Sequence, residues 1–509
     1  MRKILSLLII SAFAFASCNM DKKPYSIDPD GVYNLTDAKK LNNYTYKILL
    51  TYGSGGSVYI PEIQADGFHA TSSYGNNGGE IYRWSINSTT KEAESQWAAF
   101  YQQTAHSNYV LHVAYTIDNS KFTAASLDTL ANIKSDNYFA RAYAYYNLAT
   151  RFCVNYEPAT ADSEYGMPLV TEYNPTGNDT QYPARATLKE TYDFIIKDLD
   201  SAAYYNKRKS VAGSVYITPD AILALKARVA LEMHNWDSAI SLSKQVIESG
   251  AYPLIGTLED FRKMWTNDMP QECIVQLFGA KPNELPSTSA LGYINYKASN
   301  KRYTPLYVPE KEIINSYDKG DIRLATYFKK VKATVATGSA LVNICYKFPG
   351  NPEFYTVTIG DNGDTVSTSN EYRNKIKLFR VAEQYLIAAE AYASKKDNTN
   401  ASKWLNALRS KRLGKDITEI YSQMSIMPEI RKEKLCEFFA EGHRMTDLKR
   451  WGIGMERSIP QAYGIIDVQG SANYELLKKV KDDYMFVWPI PKAELDANPQ
   501  IRGQQNFGY

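Results

Sequence analysis

Cysteine is scarce in this chain of 509 residues, and neither sign of charge is in clear excess. The 5 cysteines are far apart and form no CxxC pair, so neither a zinc site nor a disulfide scaffold is expected. We expect the four cysteines after Cys18 to be buried free thiols. The 58 basic and 55 acidic residues leave a formal net charge of +3 without a basic block, which argues against nucleic acid as a partner.

Sequence motifs for catalysis and cofactor binding are also missing. HExxH, GxSxG, P-loop and EF-hand patterns do not occur, and the 5 histidines form no recognisable ligand pair. We therefore predict no cofactor, no metal centre and no catalytic residues. A glycoside hydrolase needs only two carboxylates that meet in the fold, and any two of the 55 acidic residues could supply them, so this alternative stays open.

Long apolar runs are absent except at the N-terminus. Residues 4–16 form an apolar stretch after Arg2 and Lys3, but it is too short to span a bilayer as a mature helix. Residues 15–18, Phe-Ala-Ser-Cys, resemble the lipobox of bacterial lipoproteins, in which the cysteine becomes the acylated N-terminus. We therefore predict a signal peptide over 1–17, lipidation at Cys18, a lipidated tether over 18–24, and membrane contact through the lipid anchor only.

Tyrosine is the abundant aromatic residue, with 40 tyrosines against 18 phenylalanines. A tyrosine ring has an apolar face and a polar hydroxyl, so it can remain partly exposed to solvent on a binding surface. Two insertions, at about 52–84 and 252–375, are long enough to be functional and combine aromatic with amide and basic residues. Sugars and peptides can both bind such a surface. The candidate ligand-binding residues are Tyr74, Tyr82, Trp84, Trp265, Tyr293, Tyr296, Tyr303 and Tyr307.

The rest of the chain is typical of paired helices. Residues 217–250 read as two helices separated by a turn at His234-Asn235, with Gly250 at the C-terminal end, and they resemble a tetratricopeptide repeat. A second pair is predicted over 379–412. Further helices are predicted over 85–117, 127–152 and 187–205. Because such pairs need neighbours to bury their faces, we predict one mostly α domain over 25–509: tetratricopeptide-like helical pairs with a loop-rich lobe that carries short strands.

Residues 428–452, PEIRKEKLCEFFAEGHRMTDLKRWG, carry the most informative pattern. Pro428 suits the first turn of a helix. The spacing then predicts a single helix with one apolar face. That face comprises Leu435, Phe438, Gly442, Met445 and Leu448. Since glycine inside a helix costs about 1 kcal/mol, Gly442 predicts a close approach of another backbone.

Charged residues three apart flank that face. Glu441 with Arg444, and Asp447 with Arg450, are predicted to form surface ion pairs. Such pairs are worth about 0–1 kcal/mol each, so this segment is interpreted as structural and not as a working site.

The same segment resembles the C-terminal signature of the SusD/RagB family, which ends in EG-x-R-x-x-DL-x-RW. The matching residues are Glu441, Gly442, Arg444, Asp447, Leu448, Arg450 and Trp451. Residues 141–148, 165–170, 192–199 and 488–509 resemble further family segments in the expected order.

Members of this family are surface lipoproteins of Bacteroidota that capture nutrients for an outer-membrane transporter. The resemblance implies an outer-membrane protein, lipid-anchored and facing the cell exterior, that captures oligosaccharide and delivers it to a SusC-like TonB-dependent transporter. Three alternatives remain: an oligopeptide-binding protein of the RagB type, a surface glycoside hydrolase, and an assembly protein that binds only the transporter.

Overall fold

The structure is a computed structural model that describes residues 33–175, 177–281, 284–286, 290–359, 365–369, 372–468 and 474–509. The predicted signal peptide, the lipidation of Cys18 and the tether lie outside these residues. Within the described ranges, no helix is both long and apolar enough to cross a bilayer.

Helices form the scaffold. Those before residue 250 are α1 (Leu35–Tyr52), α2 (Gly56–Gln64), α3 (Gly79–Tyr82), α4 (Lys91–Thr116), α5 (Ala124–Phe152), α6 (Leu188–Tyr205), α7 (Pro219–Glu232) and α8 (Trp236–Glu248). Those after it are α9 (Leu258–Thr266), α10 (Ala290–Tyr293), α11 (Lys311–Asn315), α12 (Leu324–Tyr327), α13 (Val381–Ser394), α14 (Asn398–Leu413), α15 (Ile426–Phe438), α16 (Arg444–Arg450) and α17 (Lys492–Ala497).

The strands are short and lie mostly in the second half of the chain. They are β1 (Phe68–Ala70), β2 (Tyr165–Pro168), β3 (Arg185–Thr187), β4 (Cys273–Gln276), β5 (Tyr296–Lys297), β6 (Arg302–Tyr303), β7 (Tyr307–Pro309), β8 (Phe328–Val335), β9 (Gly338–Cys345), β10 (Thr356–Ile359), β11 (Thr365–Ser369), β12 (Lys377–Arg380), β13 (Met455–Glu456) and β14 (Lys478–Lys479).

The long helices pack against one another as successive layers. Helices α4 to α8 each contact the next in chain order, and α8 then contacts α13, which packs on α14. The pairs predicted over 217–250 and 379–412 therefore lie side by side. Small residues such as Ala227, Ala239 and Ala391 meet in a buried cluster between them, which allows the helices to approach closely. The predicted fold class, a mostly α scaffold of helical pairs, is confirmed.

Local sequence signals set several of these helix ends. The Thr218 hydroxyl accepts a hydrogen bond from the backbone N–H of Ala221, and Pro219 occupies the first helical position of α7. Thr187 and Glu190 form a capping box at the start of α6. Gly250 adopts a φ of 70° just after α8, a conformation that glycine reaches without strain.

The two predicted insertions contain more helix and strand than their glycine-rich, loop-like sequences indicate. The first contains α2, β1 and α3, and the second contains a four-stranded sheet in the order β5-β6-β8-β9. Strand β1 pairs with β7, so that Phe68 lies opposite Pro309 and Ala70 opposite Tyr307. This pairing joins the two insertions into one lobe.

The signature segment forms two helices, so the prediction of a single helix over it was wrong. Helix α15 ends at Phe438, and the chain turns through Ala440 (φ 63°) and Gly442 (φ 86°) before α16 begins. The turn is fixed by tertiary contacts: the backbone N–H of Gly442 donates to the Glu62 carboxylate at 2.6 Å. The predicted close approach at Gly442 is confirmed, because a Cβ there would lie 3.3 Å from the Cα of Val58.

Gly442→Ala is expected to lower the free energy of unfolding by about 1–3 kcal/mol, because the added methyl group meets backbone and the positive φ is strained. Urea denaturation monitored by circular dichroism measures the change. Gly503→Ala is the matched control: its Cβ would enter open space, so its effect should stay within about 0.5 kcal/mol. Equal stability of the two variants would contradict the prediction.

The charged side chains of the signature segment are buried, so the prediction of surface ion pairs was also wrong. Arg450 is 2 % exposed and contacts Glu232, Glu390 and Asp447 at distances of 2.5–2.8 Å. The Asp447–Arg450 pair itself is confirmed. We call these four residues the Arg450 cluster.

The predicted Glu441–Arg444 pair does not form. Glu441 instead binds Lys347 and Arg380, each at 2.6 Å, and Arg444 binds Asp66 in the first insertion at 2.7 Å. These partners lie far away in the sequence, and a spacing rule for neighbours on one helix cannot detect them.

A second buried charge cluster is centred on Glu437, which is fully buried. Its carboxylate accepts hydrogen bonds from Arg323, Arg380 and Arg412 at 2.7–3.0 Å. We call these four residues the Glu437 cluster. Because buried charges are tolerated only when they are paired, both clusters tie distant segments of the chain together.

Candidate ligand-binding groove

A groove open to solvent lies where the two insertions meet the start of α4. Its volume is about 570 Å³. The lining residues are Gly55, Gly56, Tyr59, Ile60, Asn76, Asn77, Gly78, Lys91, Glu92, Ser95, Gln96, Gly292, Asn295 and Leu306. The groove therefore combines amide, hydroxyl and charged groups with a larger apolar surface.

Two residues of the groove wall carry a buried polar atom without a partner. The Tyr59 hydroxyl and the Gln96 Oε1 are buried and have no hydrogen-bond partner within the described structure. The Gln96 Nε2 donates to the backbone oxygen of Gly56 at 3.0 Å, which fixes the orientation of the amide. Burial raises the pKa of Tyr59 well above its usual value, so its hydroxyl stays protonated and can donate.

Three asparagines supply amides to the groove: Asn76 and Asn77 are exposed in a turn, and Asn295 is partly buried. Asn76 adopts a φ of 59°, and its Oδ1 accepts from Arg83 at 2.7 Å. Asn295 donates to the backbone oxygen of Thr304 at 2.8 Å. Asn77 is held through its backbone oxygen, which accepts from Tyr307 at 2.7 Å. Its exposed side-chain amide can both donate and accept, as the hydroxyl groups of a sugar require.

Glycines shape the walls of the groove. A Cβ at Gly292 would lie 2.7 Å from the Tyr59 ring, and a Cβ at Gly78 would lie 2.5 Å from Ile63. Both positions therefore require glycine for packing of the lobe, which leaves bare backbone at the groove surface.

The structure places six of the eight predicted binding aromatics in the protein interior, where their faces are not available to a ligand. Tyr74, Tyr82, Trp84, Trp265, Tyr293 and Tyr307 are at most 4 % exposed. Tyr293 stacks on Phe68, and Trp265 packs edge-on against Tyr327. The β1–β7 pairing and the packing around it enclose the four tyrosines. Trp84 is buried separately against Phe486, and Trp265 against Tyr327 and Phe348.

Four of these buried residues still contribute to the groove indirectly. Tyr293 and Tyr307 contact the groove residue Tyr59, with ring centroids 5.4 and 5.6 Å away, and Tyr74 and Tyr82 pack against Tyr307. They form an aromatic layer beneath the groove, and their role is to hold Tyr59 in place.

The two remaining predicted aromatics, Tyr296 and Tyr303, are exposed or partly exposed. Tyr296 is 39 % exposed and follows the groove residue Asn295 directly in the chain. Its ring lies 4.7 Å from that of Tyr303, across the β5–β6 hairpin. The Tyr303 hydroxyl accepts a hydrogen bond from Lys329 at 2.9 Å. This pair offers an aromatic surface to a ligand that extends out of the groove.

A smaller cavity of about 130 Å³ lies behind the signature segment. Its wall combines apolar, polar and charged residues, and several of the charges are paired, as between Arg228 and Glu383 at 2.5 Å. Lys449 donates to two backbone oxygens there, and burial lowers the pKa of Lys449 to about 8. The small volume makes this cavity a poorer ligand site than the groove.

Sequence analysis missed the contribution of Asn76, Asn77 and Gln96 to the groove. The signal for the two asparagines was the run of glycines around them, which indicates turns with exposed amides. Gln96 gave no signal, because it lies inside α4 and enters the groove only through tertiary packing. Within the described residues, no group of histidine, cysteine or acidic side chains is arranged to hold a metal ion.

Comparison with known families gives matches along most of the chain. The family model described as the SusD family matches residues 243–509. A second family model, described as starch-binding and associating with the outer membrane, matches residues 20–231.

Individual relatives extend over nearly the full length of the chain. The SusD-like protein P25 of Formosa agariphila is 22 % identical over 92 % of this chain and 89 % of its own. A SusD superfamily protein from Bacteroides thetaiotaomicron has a similar structure, with a TM-score of 0.76 and 24 % identity over 93 % of this chain and 100 % of that one. A SusD-like carbohydrate binding protein from Bacteroides vulgatus has a TM-score of 0.71 and 20 % identity, over 92 % of this chain and 97 % of that one.

Proposed function

Because this chain belongs to the SusD family, we infer that it is a glycan-binding protein associated with the outer membrane. We further propose that it captures an oligosaccharide in the groove between the two insertions. The observation that carries this proposal is the groove itself: oriented amides and Tyr59 line it, and exposed Tyr296 directly follows the lining residue Asn295 in the chain. Amides and hydroxyls match the rim of a sugar ring, and an aromatic face matches its C–H groups.

Anchoring and delivery form the second part of the proposal. An acylated Cys18 would hold the protein at the outer membrane, facing the cell exterior, next to a SusC-like TonB-dependent transporter that it covers as a lid. Tethering raises the effective concentration of the protein at the transporter, so moderate glycan affinity is sufficient and release stays fast. The family description that names outer-membrane association supports this arrangement.

Calorimetric titration of the mature chain without its acyl anchor tests the ligand. The panel comprises soluble starch, laminarin and xylan with their oligosaccharides, and a peptide digest. Tyr296→Ala is expected to weaken glycan binding about tenfold, and Asn77→Ala/Tyr296→Ala about a hundredfold if the two losses add. Asn315→Ala, an exposed asparagine outside the groove lining, is the matched control and should leave the affinity unchanged.

Each other outcome of this titration favours a specific alternative. Binding of peptides alone would support the oligopeptide-binding type. No binding to any member of the panel would support a protein that only assembles with the transporter. Shortened glycan products after incubation would support a hydrolase, which needs two carboxylates, whereas the described groove lining supplies only Glu92. Binding that survives both groove changes would overturn the assignment of the site.

A further inference from the structure

A second aromatic surface lies on helices α4, α5 and α6 and on two residues outside them, Tyr33 and Tyr173. We call it the aromatic ridge. Its rings belong to Tyr33, Tyr109, His112, Tyr115, Tyr138, Tyr173, Tyr204 and Tyr205. Tyr115 is 50 % exposed and Tyr204 is 75 % exposed. Single exposed aromatic residues are common on proteins, but rings that contact one another at the surface mark an interaction site.

The centre of the ridge is ordered by hydrogen bonds between phenol groups. The Tyr115 hydroxyl donates to that of Tyr205 at 3.0 Å and lies 2.9 Å from that of Tyr138. The rings of Tyr138 and Tyr205 are parallel to within 3°, with centroids 6.0 Å apart. Lys134 lies 3.9 Å from the Tyr115 ring centroid and covers one of its faces. These contacts hold the rings in place without burying them, so a ligand would meet a preorganised surface.

The other end of the ridge follows the same face of α4. Tyr109, His112 and Tyr115 are spaced by three residues, which places them on neighbouring turns. Tyr173 packs between the first two, with its ring 4.9 Å from Tyr109 and 5.3 Å from His112. The ridge therefore consists of two groups of contacting rings, which α4 connects through His112 and Tyr115, three residues apart.

The chemistry of the ridge resembles that beside the groove. Each ring has an apolar face, and each tyrosine has a hydroxyl at its rim, as in the Tyr296–Tyr303 pair. Burial and phenol hydrogen bonds raise the pKa of Tyr115 above its usual value, so the hydroxyl stays neutral and keeps its hydrogen bond to Tyr205. A neutral sugar chain, with C–H faces and hydroxyl rims in alternation, fits this pattern.

One helix connects the two surfaces. Helix α4 contributes Lys91, Glu92 and Ser95 to the groove at its N-terminal end, and Tyr115 to the ridge at its C-terminal end. At about 1.5 Å per residue, Glu92 and Tyr115 are about 35 Å apart along the helix. A polysaccharide can span this distance, whereas a short oligosaccharide cannot.

We infer that the aromatic ridge is a second glycan-contact site, which binds a further segment of the same polysaccharide that occupies the groove. This inference rests on the proposed function of the groove. Two linked contacts make the second one intramolecular, so the affinity for polymer exceeds the affinity for short oligosaccharides without any change in the groove.

The test compares polymer with oligosaccharide binding in the mature chain. Tyr204→Ala removes the most exposed ring, and Tyr115→Phe removes only the hydroxyl at the centre of the phenol contacts. The double variant is expected to bind the polysaccharide about tenfold more weakly, and to bind the matching short oligosaccharide within about twofold of the parent. Tyr463→Ala, another exposed tyrosine at 49 %, is the control and should leave both affinities unchanged.

The possible failures are separable. If the parent chain binds no member of the glycan panel, the proposed function fails and this inference fails with it. If oligosaccharide binding persists and polymer affinity is the same in parent and double variant, only the ridge assignment is overturned. An equal loss for polymer and oligosaccharide would also overturn it. Loss of co-purification with the transporter at unchanged polymer affinity would instead identify the ridge as a protein contact.

Discussion

Glu437→Gln is expected to lower the free energy of unfolding by at least about 3–5 kcal/mol at pH 7. Glutamine keeps the shape of the side chain but removes the charge shared by Arg323, Arg380 and Arg412. Its amide also offers one acceptor oxygen where the carboxylate offers two. Because all four residues are buried, the arginines cannot recover their hydration, and each of them loses one of its carboxylate partners.

The pH dependence of this loss has a definite sign. Burial alone raises the pKa of Glu437, but the charges of Arg412, Arg380 and Arg323 outweigh burial and hold the pKa well below its usual range. The carboxylate therefore stabilises the fold above the unfolded pKa of about 4.3, and this stabilisation is lost as the pH falls through the folded pKa. The difference in stability between parent and variant should shrink in acid.

Denaturant unfolding at pH 7 and at lower pH measures both effects. Glu456→Gln is the matched control, because Glu456 pairs with Lys478 at 2.8 Å across the β13–β14 strand pair and both side chains are exposed. Its removal should cost less than about 1 kcal/mol. A Glu437 variant that is as stable as this control at pH 7 would contradict the assignment of the cluster.

The second large effect is expected for Arg450→Met. This change leaves Glu232, Glu390 and Asp447 buried together. Lys434 still contacts Glu390 and Asp447. We expect a loss of about 3–5 kcal/mol in the free energy of unfolding at pH 7. The remaining carboxylates should take up a proton, so the stability of the variant should fall further as the pH rises above the unfolded pKa of a carboxyl group.

A double-mutant cycle separates charge from packing. Adding Glu232→Gln to Arg450→Met removes one orphaned carboxylate and should restore part of the lost stability, whereas Glu232→Gln in the parent should be destabilising. Arg502→Met, at an exposed arginine that contacts only backbone oxygens of Leu495 and Asp496 among its described partners, is the control and should have little effect. Additive losses in the cycle would show that the two residues do not interact.

The helical scaffold was predictable because its information is local. Caps such as Thr187 and Thr218, and glycine at position 250, mark helix ends within a few residues of sequence. Small apolar residues at helical spacing then indicate which faces pack. These signals need no knowledge of distant segments, so the helical pairs appear in the sequence at nearly their observed limits.

The lobe and the groove were much harder to predict because they depend on long-range pairing. Strands β1 and β7 have only three residues each and lie more than two hundred residues apart, so no periodic pattern of apolar residues predicts their contact. Once they pair, rings such as Tyr293 and Tyr307 are enclosed. Exposure of an aromatic residue is thus a property of the fold, which a glycine-rich or strand-like neighbourhood does not reveal.

The signature segment shows the same dependence on long-range contacts within a single short stretch of sequence. Its apolar spacing continues across residues 438–445, which favours an unbroken helix. Contacts of Gly442 with Glu62 and Val58, from the first insertion, impose a turn instead. The family resemblance was readable because it needs only residue identities, whereas the burial of Arg450 and Glu441 is decided by partners elsewhere in the chain.

The contacts of helix α2 also constrain the order in which the protein can fold. Gln64 accepts a hydrogen bond from Trp488, which is 424 residues later in the chain, and Asp66 binds Arg444. During synthesis, α2 is therefore made long before its partners exist, and closing such a loop is slow. The N-terminal segment cannot complete its native contacts until the last tenth of the polypeptide has been synthesised. A chain truncated before Trp488 would lack the hydrogen bond to Gln64.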